Sequence, residues 1–135
     1  MDEPNIVETL LPAVKYAGQE IIKIYKLKPS RLIKNDGSPV TIADKAAEKI
    51  LIDTLTECFP KVPIVSEENP ESHNLKTPKE FFLVDPLDGT KEFLKFDGKG
   101  SFTVNVALIR AGIPVLGIVY APALDRLFYG TQANG

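Results

Sequence analysis

Apolar residues fall at positions 6, 7, 10, 11, 14, 17, 21, 22 and 25, the three-and-four spacing of an amphipathic helix with charges between. Pro12 interrupts this stripe. A proline removes an amide donor and crowds the preceding turn, so a kink, or a helix start near Leu11, is expected there. Lys28-Pro29-Ser30 closes the segment. Arg31 to Lys34 reads as a short strand, and Asn35-Asp36-Gly37-Ser38-Pro39 is turn chemistry. A second helix is predicted from about Ile42 to Cys58, with Ala43, Ala46, Ala47, Ile50, Leu51, Leu55 and Cys58 as its apolar stripe. Thr41 and Asp44, three apart at its start, resemble a capping arrangement. Phe59-Pro60 stops it.

Beyond this point the period shortens. Val62 to Ser66 is a short strand, and Glu67 to Lys79 is polar and loop-like. Phe81-Phe82-Leu83-Val84 is an unbroken apolar run, which predicts a strand buried on both faces. It leads directly into Asp85-Pro86-Leu87-Asp88-Gly89-Thr90. Phe102 to Ile109 alternates, Arg110-Ala111-Gly112 turns, and Ile113 to Tyr120 returns as a partner strand. Leu127-Phe128-Tyr129 begins another. Two helices followed by hairpin-linked strands predict an α+β domain over residues 1–135, with the helices packed on a largely antiparallel sheet.

The bulk numbers narrow the setting. A net charge of −2 offers no basic face for nucleic acid. A single cysteine, Cys58, excludes an intrachain disulfide and reads as a small core residue. The acidic start lacks the features of a signal peptide, and no apolar run approaches a membrane span. A cytoplasmic setting is therefore expected, with peripheral membrane association left open.

The candidate chemistry lies where apolar strands end in acids. Val65-Ser66 leads to Glu67, and Leu83-Val84 leads to Asp85, with Asp88 three residues on. Carboxylates held together at buried strand ends repel one another, and a shared hard cation removes the repulsion. Pro86 restrains the backbone after Asp85, Gly89 permits a bend, and the Leu87 carbonyl is a further oxygen donor. Thr90 offers a hydroxyl beside the acids. It precedes Lys91-Glu92-Phe93-Leu94, a short helical turn whose amides suit an anion. An all-oxygen donor set favours magnesium or manganese over zinc. The plainer readings are a turn for DPLDG, a solvated pair for Glu67-Glu68, an exposed His73 and core positions for Phe81 and Phe82.

FFLVDPLDGT, KNDGSPVTIADKAAEKIL, VPIVSEE and GSFTVNVALIRAGIPVLGIVYAPALDRLFYG together resemble the inositol monophosphatase-like superfamily of metal-dependent, lithium-sensitive phosphatases. DPLDGTKEFLK and KNDGSPVT are similar to its 3'(2'),5'-bisphosphate nucleotidase branch. The resemblance implies the N-terminal half of the sugar-phosphatase αβαβα sandwich. It also implies metal ligation by Glu67, Asp85, the Leu87 carbonyl and Asp88, with two or three magnesium ions. Glu67 would face the attacking water as well, and Thr90 would orient it with Asp36 or Asp44 as its acid partner. Gly89, Thr90 and Lys91 would bind the substrate phosphate. The implied substrate is adenosine 3',5'-bisphosphate, cleaved to AMP and phosphate without a covalent phosphoenzyme. The alternatives are an inositol or sugar phosphate phosphatase, or a noncatalytic metal-binding fragment. The superfamily's tryptophan-aspartate signature is absent, and the chain contains no tryptophan. The 135 residues alone are therefore expected to be largely inactive, and a homo-oligomer through an uncovered face is expected as well.

Overall fold

The structure, a computed structural model, describes residues 3–27, 39–66, 79–89 and 102–132. Within these spans the first helix, α1, runs unbroken from Glu3 to Leu27, with Pro12 inside it. The expected restart near Leu11 does not occur. The amide missing at Pro12 would have bonded the Glu8 carbonyl, and both residues are exposed. Water can satisfy that carbonyl, so the interruption is tolerated. On the other side of α1, Ile6, Val7, Leu10, Val14, Ala17 and Ile21 are all buried.

The second helix, α2, spans Pro39–Cys58, starting earlier than expected. Pro39 occupies the first helical position, where its missing amide costs nothing and its fixed φ suits the helix. Thr41 and Asp44 consequently lie inside the helix rather than capping it. Ala43, Ala47, Leu51 and Leu55 form the buried row. Cys58 is exposed, against its expected core position. The row steps by four from Leu55 to Phe59, whose amide still bonds the Leu55 carbonyl at 2.8 Å and whose ring lies 5.4 Å from that of Phe82.

Among the described residues five strands form one sheet: β1 (Ile64–Ser66), β2 (Glu80–Asp88), β3 (Thr103–Arg110), β4 (Ile113–Ala121) and β5 (Arg126–Thr131). They lie side by side in chain order, with β1 parallel to β2 and every other pair antiparallel. The β3–β4 connection is the two-residue turn Ala111-Gly112, with φ of 52° and 77°. Positive φ at both positions matches the twist of a tight hairpin, at a steric cost for the alanine.

Both helices pack on the same face of the sheet. Phe82, Val84, Val104, Val106, Leu108 and Ile118 point into that core. Tyr25 of α1 meets Phe102 at 5.1 Å between ring centroids. Gly18 brings α1 close to β4, since a Cβ there would lie 2.5 Å from the Tyr120 ring.

The strand expected to be buried on both faces is not. Within β2, Phe82 and Val84 are buried, Phe81 is half-buried and Leu83 is 38% exposed. Both described helices cover the same side of the sheet, so an apolar run need not mean burial on both. The expected strand at 31–34, the turn at 35–38, the loop from Glu67 onward with His73, and the helical turn at 91–94 lie outside the described residues.

Candidate functional site

The acids of the DPLD segment belong to β2 itself, which continues through Pro86 and Leu87 to Asp88. Side chains alternate along a strand, so residues three apart ordinarily point to opposite faces. Here the register shifts. Asp85 pairs with Asn105 and Asp88 pairs with Thr103, so three steps on β2 match two on β3. That is one extra residue, a β-bulge. Directly paired residues share a face. Asn105 and Thr103 lie on the same face, since the Asn105 Nδ2 donates to Thr103 Oγ1 at 3.0 Å. Asp85 and Asp88 therefore share that face too.

The bulge sits at the one proline of β2, a residue that cannot donate to the ladder. Leu87 turns inward, with 2% of its surface exposed, while Asp88 emerges into solvent. Gly89 follows at φ 90°, a conformation that glycine adopts without strain.

Asp85 is half-buried on the sheet face opposite the helices. It borders a shallow hollow of about 260 Å³ floored by Ala107 and Gly117 and flanked by Leu83, Asn105 and Val119. A larger hollow, about 410 Å³, lies between α1 and β5, lined by Pro4, Val7, Glu8, Leu11 and Tyr129. Among the described residues Glu8 is its only acid, and none of the described site residues borders it.

The helix layer contributes a second polar group. Asp44 is only 5% exposed on the inner side of α2. One turn later, Glu48 accepts a 2.8 Å hydrogen bond from the Ser66 hydroxyl at the end of β1. Neither Glu48 nor Ser66 stood out in the sequence. The four-residue step from Asp44 to Glu48 and a serine closing an apolar strand are the signals that could have found them.

Of the predicted site, Asp44, Asp85, Leu87, Asp88 and Gly89 are described. Glu67, Thr90, Lys91 and Asp36 lie outside the described residues. Among the described residues no three His, Cys, Asp or Glu side chains form a metal-sized cluster. The structure brings Asp85 and Asp88 to one face, and Asp44 belongs to the helix layer. No helix of the described residues is long and apolar enough to cross a membrane.

Two helices on one face of a mostly antiparallel sheet, with paired acids on a bulged strand, place the chain in the α+β layer of the sugar-phosphatase type of fold. The model of the inositol monophosphatase family matches residues 2–135. The chain belongs to that family. It is 42% identical to the 3'(2'),5'-bisphosphate nucleotidase CysQ of Salmonella typhimurium, over 96% of this chain and 53% of that protein. The solved CysQ of Bacteroides thetaiotaomicron is 34% identical with a TM-score of 0.78, covering 94% of this chain and 46% of that one. Inositol monophosphatase II of Staphylococcus aureus MSSA476 superposes with a TM-score of 0.80 at 28% identity, covering 97% of this chain and 48% of the other. The chain thus spans about half the length of the relatives it matches.

Proposed function

We propose that the chain is the metal-binding half of a magnesium-dependent phosphomonoesterase that removes the 3'-phosphate of adenosine 3',5'-bisphosphate. The observation that carries this reading is the bulge that turns Asp85 and Asp88 to one face of β2. Two carboxylates held on one face repel each other unless a cation lies between them. The donor set of Asp85, Asp88, the Leu87 carbonyl and Glu67 is entirely hard oxygen, which fits magnesium, with manganese as the alternative. When bound, such a cation neutralises phosphoryl charge and makes water a better nucleophile near neutral pH.

The chain's own groups do the rest. Thr90 orients the attacking water. Asp44, a carboxyl kept buried by α2, is the acid we assign as its partner, with Asp36 as the alternative. Glu67 faces the water from the end of β1. The amides of Gly89 and Thr90, with Lys91, hold the substrate phosphate. The substrate assignment draws on the 42% identity to a protein named as a bisphosphate nucleotidase.

The test is phosphate release from adenosine 3',5'-bisphosphate and from inositol monophosphate, in parallel, by a protein of the relatives' full length carrying these residues. Asp85→Asn is expected to abolish magnesium-dependent turnover, and retained turnover would defeat the assignment. Preference for inositol monophosphate would move the reading to the sugar-phosphatase branch. The 135 residues alone, spanning half the relatives' length, are expected to bind magnesium weakly and turn over little substrate.

A further inference from the structure

β1 is three residues long and, among the described residues, pairs with β2 alone. A short strand with one neighbour opens easily. Its last residue, Ser66, is nevertheless 1% exposed and is paired with the fully buried Val84. One restraint comes from the other layer. The Ser66 hydroxyl donates to Glu48 Oε2 at 2.8 Å, across eighteen residues of sequence. A hydroxyl bonded to a carboxylate is among the stronger side-chain hydrogen bonds, and partial burial strengthens it further. Glu48 lies one helical turn beyond Asp44 on α2, so the anchor point belongs to the same helix face as the buried acid.

We infer that Glu48 is a positioning residue. By accepting the Ser66 hydroxyl, it pins the end of β1 to α2 and sets the backbone from which Glu67, the next residue, departs. The inference rests on the reading of Glu67 as a metal donor and assigns Glu48 no contact with metal or substrate. Ligand geometry of this kind is commonly set by groups behind the ligands, whose removal weakens metal binding about 10- to 100-fold.

The test is calorimetric titration with magnesium chloride of a protein of the relatives' full length carrying these residues, with thermal midpoints measured without metal to confirm folding. Ser66→Ala and Glu48→Ala are each expected to weaken magnesium binding about tenfold. The double variant should be no weaker than Ser66→Ala alone, because that variant has already lost the bond to Glu48. Glu48→Gln keeps an acceptor oxygen and should stay within about threefold of the parent. If Glu48→Gln falls as far as Glu48→Ala, the charge acts rather than the bond, and the inference is wrong. It is equally overturned if the single effects add, or if both alanine variants bind as the parent does. Should Ser66→Ala fail to fold, the Glu48→Ala and Glu48→Gln pair decides alone. Asp85→Asn separates the two levels. If it alone abolishes binding, the inference falls and the metal site stands. Undiminished binding by Asp85→Asn, or no saturable binding by the parent, removes the metal site and this inference with it.

Discussion

Gly18 sits in the middle of α1, where alanine would ordinarily stabilise a helix by about 1 kcal/mol. Here the opposite is expected. A Cβ at this position would lie 2.5 Å from Tyr120 Cε2, 2.6 Å from Cδ2 and 3.1 Å from Pro122 Cβ. Ordinary carbon contacts need about 3.5–4.0 Å, so the ring must retreat by about 1 Å. It has little room to do so. Tyr120 is 5% exposed, and its hydroxyl is tethered to Asp125 Oδ1 at 2.9 Å. Asp125 in turn holds a left-handed backbone, φ 48°, within the β4–β5 turn. Overpacking of this kind costs about 1–3 kcal/mol or more, which outweighs the propensity gain. Gly18→Ala should therefore be destabilising by about 1–2 kcal/mol net. In urea denaturation the midpoint should fall with an unchanged slope. Adding Tyr120→Ala removes the clash, so in that background Gly18→Ala should become neutral or stabilising. A more stable single variant, or strictly additive effects in the double variant, would refute the account of close helix–sheet approach at Gly18.

Three further perturbations follow from the same coordinates. Ala111 holds φ 52° in the β3–β4 turn, so Ala111→Asn should raise stability by about 0.5–1 kcal/mol in thermal or urea unfolding. Pro12→Ala restores an amide to an exposed helical position and should stabilise by about 2 kcal/mol, the helix-propensity gain less the lost rigidity of the unfolded chain. A destabilised Pro12→Ala variant would mean that the proline shapes α1 in a way the core needs. Burial, and then the bond to Asp125, raise the Tyr120 pKa above its ordinary 10.0. The folded state thus holds that proton more tightly than the unfolded chain, so the contribution is complete below pH 10 and is lost as pH rises through the raised value. The stability gap between the parent and Tyr120→Phe should accordingly narrow above pH 10 in urea titrations.

Much of the fold was legible because the relevant signals are local. The four-step row of α2 and the alternation of β3 follow directly from residue spacing, and the Arg110-Ala111-Gly112 turn marks β4 as its partner. The DPLDGT string with its flanking segments carried the family resemblance. What misled were local rules that depend on surroundings. Pro12 reads as a break, yet the carbonyl it leaves without an amide faces water. Cys58 reads as core, yet Phe59 takes the next place in the buried row. The FFLV run reads as buried twice over, yet the helices cover one side of the sheet.

The candidate site divides along the same line. The type of residue, oxygen donors beside a proline and a glycine, can be read from the chain, because chemistry resides in side-chain identity. Which way those side chains point cannot. Asp85 and Asp88, three apart on a strand, would diverge by simple alternation, and only the shifted pairing with Asn105 and Thr103 turns them to a common face. The bond from Ser66 to Glu48 is likewise invisible in one dimension, since it joins groups that meet only when α2 packs across β1. Sequence by itself determined most of the described elements, through short-range sterics and periodicity, and the kinds of donor group the chain offers. Strand register and layer packing, set by contacts distant along the chain, decided the direction of each acid and its support.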